Sequence, residues 1–237
     1  MSLLADTANL HTFVEAFRFI GNHPGFLLEK AWEQIELSAA ALGIAAAVAL
    51  PVGIVLGHFH RFSTIAIGAS IFGRGVPSLV LIGAFLTILG IGFVNNMVAL
   101  AVLGSGPILT TAYSAIDGAD RDVVEAARGM GMTRWEILSR VELPLGIPLL
   151  FTGIRIAAVT IVATAPIAAL AGGGGLGDII VNQASYELSG VLGASLCVMA
   201  LSALVYLALV GAQAALTPRG LRRTSVEYDL TSRKEQL

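Results

Sequence analysis

Residues 125–148 read EAARGMGMTRWEILSRVELPLGIP, and this charged stretch interrupts a chain that is otherwise strongly apolar. Asp120 stands just ahead of it, at a position typical of a helix N-cap. Thr133 and Glu136 have the spacing of a capping box, in which each side chain bonds the other residue's backbone N–H. The pattern therefore predicts two short helices, the first over about 120–129 and the second beginning after Thr133.

Glycines and prolines mark the limits of these two helices. Gly129 and Gly131 are predicted to end the first helix, and Pro144 and Pro148 to bound the second. We call residues 117–146 the elbow. Connections between helices in bundles are usually about two to eight residues long. A much longer connection with its own caps favours a docking element over a plain solvated loop.

The composition indicates a membrane protein. Of the 237 residues, 56% are hydrophobic and only 13% are charged, with a mean hydropathy of +0.82. Soluble domains carry about 25% charged residues, so lipid is the predicted solvent for most of the surface. The net charge of −2 argues against nucleic acid as a partner. The single cysteine, Cys197, lies in an apolar run and is predicted to be a core residue, without a disulfide partner in the chain.

The chain contains enough apolar sequence for about five membrane crossings, each of which needs about 20 residues. Residues 75–116 carry no charge and are too long for one crossing. The stretch GIGFVNN at 90–96 supplies a turn between two spans. The predicted fold class is an all-α integral membrane protein with about five transmembrane helices, at residues 37–56, about 70–89, 96–116, 147–171 and 191–216.

Basic residues concentrate on one face of this arrangement, which predicts its orientation. Arg61, the arginines of the elbow and the basic residues after the fifth span all fall on the same side. The elbow and the C-terminus are therefore expected in the cytoplasm, and the N-terminus outside. The predicted organisation is an external or interfacial segment at 1–31, a transmembrane region at 32–216 and a cytoplasmic tail at 217–237.

The elbow resembles the EAA loop of permeases from ATP-binding-cassette (ABC) importers. The resemblance is carried by EAA at 125–127, by Gly131 after three intervening residues, and by VELP at 141–144. Val141 stands where the family pattern has isoleucine, which is a conservative departure. The spacing of these elements is strict over a long stretch, so the match is specific.

The similarity extends to the stretches at 74–93 and 153–178 and covers roughly residues 32–216. The chain is identified as a member of this permease family, most similar to the osmoprotectant subgroup, which imports glycine betaine, carnitine, choline or proline. Permeases for amino acids such as methionine share much of both motifs and remain an alternative. The resemblance implies a type I ABC importer fold, like that of the methionine permease, in the inner membrane of a prokaryote.

The resemblance also implies that the chain forms half of a translocation pore and couples to a cytoplasmic ABC ATPase dimer. Its only lysines, Lys30 and Lys234, do not follow glycine, so the chain has no Walker A loop. We expect no enzymatic activity and no cofactor in this chain, with ATP and Mg²⁺ held by the partner ATPase. Arg128 and Arg134 either contact that partner or are solvated. The coupling residues implied by the resemblance are Glu125, Ala126, Ala127, Gly131, Val141, Leu143 and Pro144.

Two further groups are candidates for the pore or its gate. Arg74 and Pro77 lie at a break in the helical pattern. Arg74 either lines the translocation path near the middle of the membrane or lies at the cytoplasmic interface, with the second span starting near Pro77. Arg155 is expected to extend to the cytoplasmic interface. Five glycines after the fourth span suit either an outer gate, which the resemblance favours, or a flexible turn: Gly172, Gly173, Gly174, Gly175 and Gly177.

The expected partners are a second permease chain, identical or homologous, an extracytoplasmic substrate-binding protein and the lipid bilayer. Aromatic residues make up only 7% of the chain, so substrate choice is expected to reside in the binding protein. A secondary transporter is the main alternative class, but it typically uses ionisable residues at the midplane and inverted repeats. A membrane scaffold without transport activity leaves the capped elbow unexplained.

Overall fold

The computed structural model describes residues 2–59, Gly68 and residues 77–216, with side chains from residue 11 to residue 215. The described backbone is helical apart from short connections. A π-helical turn, Leu138–Glu142, precedes α7, and a 3₁₀ helix, Ala165–Ala171, follows it. The α-helices are α1 (Ser2–Asn22), α2 (Pro24–His58), α3 (Ser78–Leu89), α4 (Phe93–Asp117), α5 (Arg121–Gly129), α6 (Arg134–Ile137), α7 (Leu143–Thr164), α8 (Gly177–Val181) and α9 (Gln183–Leu216).

Four helical segments of the described chain are long and apolar enough to cross a membrane. They are Pro24–His58, Phe93–Asp117, Arg134–Ala171 and Gln183–Ala215, and each corresponds to one of the predicted spans. The second predicted span, at about 70–89, is represented by the 12 residues of α3, because residues 70–76 lie outside the described part. At about 1.5 Å per residue, α3 is about 18 Å long, less than the hydrocarbon thickness of about 30 Å.

Helix α4 lies at the centre of the bundle, and α2, α3 and α7 pack around it. Gly53 and Gly57 bring α2 close to α4. A Cβ atom at Gly53 would lie 2.6 Å from the Cβ of Ala112, and one at Gly57 would lie 2.7 Å from the carbonyl oxygen of Tyr113. Small residues four apart allow such close helix packing within membranes. The structure thus identifies α4 of the same chain as the packing partner of these two glycines.

The two elbow helices begin as predicted. Asp120 caps α5 by accepting a hydrogen bond of 2.9 Å from the backbone N–H of Asp122. Thr133 and Glu136 form the reciprocal capping box at the start of α6. Both helices therefore have side-chain caps that define where they begin.

The predicted end of the second elbow helix is wrong. The chain does not leave the helical conformation at Pro144 or Pro148. It passes from α6 through the π turn into α7, and residues 134–171 form one continuous helical segment. Pro144 lies in the first turn of α7, where a missing backbone N–H is tolerated, and the wider π turn just before it accommodates the ring.

Candidate functional site

A buried contact between a histidine and a carboxylate joins the elbow to the end of the first long helix. The Nδ1 atom of His58, the last residue of α2, lies 2.6 Å from Oε2 of Glu142 in the π turn. Their side chains are only 7% and 3% exposed. The ring of Trp135 in α6 stacks against the His58 ring with centroids 6.1 Å apart. The elbow therefore contacts the same end of α2 through both a hydrogen bond and an aromatic stack.

The structure separates the predicted coupling residues by exposure. Glu125 and Ala126 are exposed on α5, whereas Ala127 is buried, and its carbonyl oxygen accepts a hydrogen bond from the backbone N–H of Met132. Gly131 has φ of +85°, a conformation that side-chain-bearing residues rarely adopt. Three residues are partly buried where the elbow joins α7: Val141, Leu143 and Pro144.

Two arginines of the elbow line a small polar hollow. Arg128 and Arg134 border a cavity of about 150 Å³ together with His58 and Glu142. Neither guanidinium makes a hydrogen bond or ion pair with another residue in the described part of the chain. Close by, two large apolar side chains point outward: Met130 is 72% exposed and Trp135 is 64% exposed. The elbow thus presents unpaired positive charge beside apolar surface.

A second polar cluster lies at the opposite end of α2. It consists of the charged residues Lys30, Glu33 and Asp178 and the backbone of Gly175, and we call it the outer cluster. Lys30 Nζ donates to Asp178 Oδ2 at 2.8 Å and to Glu33 Oε2 at 2.9 Å. The same Glu33 oxygen accepts a hydrogen bond of 2.8 Å from the backbone N–H of Gly175. These contacts join α2, the glycine loop and α8.

The glycine loop needs its glycines for close approach to α2. Gly174 and Gly175 have φ of +69° and +79°. A Cβ atom at Gly174 would lie 2.9 Å from Glu33 Oε2, and one at Gly175 would lie 3.1 Å from the Cβ of Gln34. The loop is therefore seated on one turn of α2 and is not a free turn. Of the other predicted gate glycines, Gly172 and Gly173 lie in the same connection between the 3₁₀ helix and α8, and Gly177 is the first residue of α8.

Buried amides hold the helices beneath this loop. Gln34 is 2% exposed, and its Nε2 donates to the carbonyl oxygen of Val162 in α7 at 3.0 Å. Asn96 Nδ2 donates to the carbonyl oxygens of Gly92 and Ala171 at 2.9 and 3.1 Å. Bonding of this kind satisfies backbone carbonyls where the helical pattern changes near the end of α7.

The sequence alone does not identify Lys30 and Glu33 as site residues, because their partners are distant in the chain. Asp178 lies 148 residues from Lys30, and Gly175 lies 142 residues from Glu33. The charge pattern of α2, with Lys30 and Glu33 one turn apart, was a signal for a local pair only. Of the other pore candidates, Arg74 lies outside the described residues, and Pro77 stands immediately before α3.

Arg155 contacts two residues of α9. Its Nη1 donates to Gln213 Oε1 at 3.2 Å, and its guanidinium lies 5.2 Å from the centroid of the Tyr206 ring. Gln213 in turn donates to the carbonyl oxygen of Pro148 at 3.2 Å. Helices α7 and α9 pack together here, so the charge is satisfied between them.

The fold and the site define a multi-pass helical membrane protein with a capped elbow at one end of the bundle and a glycine loop at the other. The chain belongs to the family described as binding-protein-dependent transport system inner membrane component, which it matches over residues 49–221. It is thus an inner-membrane permease component of an ABC importer.

Similar proteins include permeases for osmoprotectants. The carnitine transport permease protein OpuCB of Listeria monocytogenes is 34% identical over 83% of this chain and 90% of its own length. The glycine betaine/carnitine/choline transport system permease protein OpuCB of Bacillus subtilis is 33% identical over 86% of this chain and 94% of its own. The osmoprotectant import permease protein OsmW of Salmonella typhimurium is 29% identical over 88% of this chain and 100% of its own.

The fold is similar to that of a solved importer. A chain of the MetNI methionine ABC transporter, determined in inward-facing conformations, superposes with a TM-score of 0.70 at 24% sequence identity. The match covers 81% of this chain and 97% of that chain. The described helices therefore have the predicted type I importer architecture.

Proposed function

We propose that this chain forms half of the translocation pore of an ATP-driven importer, and that its elbow docks on a cytoplasmic ATPase. One observation carries the proposal: α2 and the helical segment 134–171 are bonded to each other at both ends. His58 meets Glu142 at the elbow end, and Glu33 meets Gly175 in the loop that directly follows the segment at the other end.

This pairing gives a physical route from the elbow to the outer end of the bundle. Residues 134–171 form one helical segment of 38 residues, about 57 Å long at about 1.5 Å per residue. A displacement of the elbow moves this segment as a unit, because an internally hydrogen-bonded helix resists axial compression. The movement reaches the glycine loop and changes the outer cluster on α2. We therefore assign the outer cluster and Gly172–Gly177 to an outer gate.

The chemistry of the elbow supports an acidic docking surface on the ATPase. Arg128 and Arg134 line the same hollow and lack partners in the described part of the chain. Unpaired guanidinium groups in a concave site favour bidentate carboxylate ligands. Exposed Met130 and Trp135 supply apolar contact area beside them. In this assignment Glu125 and Ala126 face the ATPase, Ala127 supports the fold of the elbow, and Gly131 fixes its turn.

The remaining functions belong to other chains. The partner ATPase dimer would hold ATP and Mg²⁺, and a second permease chain, identical or homologous, would complete the pore. A substrate-binding protein would deliver the solute to the end that carries the outer cluster. This arrangement places the segment 1–31 outside, the elbow 117–146 and the tail 217–237 in the cytoplasm, and the transmembrane region between them, in agreement with the distribution of basic residues.

We propose a quaternary-ammonium osmoprotectant such as glycine betaine, carnitine or choline as the solute. The support is the similarity to permeases named for these compounds, at 29–34% identity over most of both chains. An amino acid is the alternative solute, because the fold also resembles that of a methionine transporter.

Uptake by reconstituted vesicles tests the proposal. The chain, its ATPase, any second permease and the binding protein are placed in proteoliposomes with radiolabelled choline outside. We expect uptake that requires internal ATP and is insensitive to ionophores. Uptake driven by an ion gradient without ATP would contradict the proposal in favour of a secondary transporter. ATP-driven uptake of methionine, without uptake of choline or carnitine, would show that the solute is an amino acid and not an osmoprotectant.

A further inference from the structure

A hollow lined by aromatic side chains lies where α1, α2 and α9 meet, and we call it the rim pocket. Its volume is about 370 Å³, and Phe19, Phe26, Tyr186 and Glu187 are among the residues that line it. The pocket adjoins the first turn of α2, which begins at Pro24. It therefore lies at the same end of the bundle as the outer cluster, about 50 Å along α2 from the elbow.

The aromatic side chains of the pocket come from two distant parts of the sequence, residues 19–26 and Tyr186. The rings of Phe26 and Tyr186 stack with centroids 5.9 Å apart and planes inclined by 23°. Phe19 lies against His23 with centroids 4.7 Å apart. These rings are only partly buried or are exposed, so they also contribute surface to the cavity. Ring faces carry partial negative charge and attract cations, above all weakly hydrated ones.

An acidic residue at the rim has an unusual backbone conformation. Glu187 has φ of 54° and ψ of −179°, the single positive φ among the described residues other than glycine. This conformation interrupts α9 near its start and lies next to a region that is almost exclusive to glycine. A side-chain-bearing residue at such a position is strained, and strain of this kind clusters at binding sites. Glu187 is exposed and lines the pocket together with the aromatic residues.

We propose that the rim pocket binds the quaternary ammonium group of an organic cation. The rings contact the methyl groups, and the Glu187 carboxylate balances the positive charge. The described lining contains the acidic residue Glu187, the imidazole of His23 and no lysine or arginine, so the carboxylate is the group that favours a cation there. This inference rests on the proposed function for the identity of the solute. It adds a binding site on the permease itself, distinct from the binding protein.

Binding of radiolabelled tetramethylammonium to the purified full-length chain in nanodiscs tests the inference. We expect saturable binding without ATPase or binding protein, weakened at least tenfold in Tyr186→Ala and in Glu187→Gln. Phe13→Ala is the matched control, because Phe13 is an exposed aromatic residue of α1 that does not line the pocket. This variant should bind like the wild type.

The Glu187→Gly variant distinguishes loss of the binding carboxylate from damage to the fold. Glycine adopts the observed φ without strain, so this variant should be at least as heat-stable as the wild type and still lose binding. Absence of saturable binding, or equal binding by wild type, Glu187→Gly and Tyr186→Ala, would overturn the inference. ATP-dependent choline uptake by the full transporter is measured in parallel. If uptake persists while binding is absent, the inference about the rim pocket is wrong and the proposed function is supported.

Discussion

The Oε2 atom of Glu33 accepts a hydrogen bond of 2.8 Å from the backbone N–H of Gly175, which lies in the loop at the far end of the elbow-bearing helical segment. At the other end of α2, His58 contacts Glu142 within that segment. One helix is therefore bonded to both ends of the segment that carries the elbow. In the proposed function, these two contacts couple events at the elbow to events at the glycine loop.

The first prediction concerns the outer cluster. Glu33→Gln keeps the size of the side chain but removes the charge that attracts Lys30. We expect the loop contact to weaken by about 1 kcal/mol, which is about a five-fold shift toward an open outer end. Basal ATP hydrolysis without the binding protein should rise accordingly. Glu36→Gln, at an exposed position on the same helix, is the control and should leave hydrolysis unchanged. Identical basal rates in the two variants would contradict the gate assignment.

The second prediction concerns the turn of the elbow. Gly131 has φ of +85°, whereas Gly129 has ordinary helical geometry, and a Cβ atom added at either glycine would meet no other atom within 4 Å. A side chain at Gly131 should therefore cost about 1–2 kcal/mol in backbone strain and displace the elbow. We expect Gly131→Val to lose most uptake while membrane insertion stays normal. Gly129→Val should retain more than half. Equal uptake by both variants would show that the turn is not required.

The third prediction concerns helix packing. Gly53→Leu places a large side chain against Ala112 of α4, where a Cβ atom alone would already clash. We expect overpacking by about 1–3 kcal/mol and a lower midpoint of heat-induced unfolding in detergent. Gly43→Leu lies on the same helix, with nothing within 4 Å of its Cβ position, and should leave the midpoint near that of the wild type. A Gly53→Leu variant as stable as Gly43→Leu would be inconsistent with the α2–α4 contact.

The fourth prediction concerns the buried pair of the elbow. Removing either partner leaves the other polar group buried without its hydrogen bond, which costs about 1–3 kcal/mol. His58→Leu and Glu142→Leu should each lower the unfolding midpoint. The double variant should lose no more than the worse single variant, because both report the same contact. Additive losses would mean that the two residues act independently.

The sequence predicts the helical membrane fold and the elbow because both depend on local patterns. The capping residues Asp120 and Thr133 define helix starts within one turn, and hydropathy identifies the spans. The continuation of α6 into α7 could not be predicted, since prolines usually end helices and the π turn that accommodates Pro144 has no clear local signature.

The clusters at the two ends of α2 depend on tertiary contacts. Lys30 and Asp178 are 148 residues apart, and His58 and Glu142 are 84 apart. Nothing in the local sequence links them. Phe26 and Tyr186 likewise form a ring stack between residues 160 positions apart, and no local pattern links them.

Site-specific photo-crosslinking tests the central claim, that the elbow docks on the ATPase, most directly. A photoreactive amino acid is placed at Ala126, an exposed position on α5, or at Ala184, an exposed position at the opposite end of the bundle. Assemblies containing the ATPase are then irradiated in membranes. We expect Ala126 to capture the ATP-hydrolysing subunit and Ala184 not to capture it. Absence of that subunit from the Ala126 product, or equal capture from Ala184, would contradict the account.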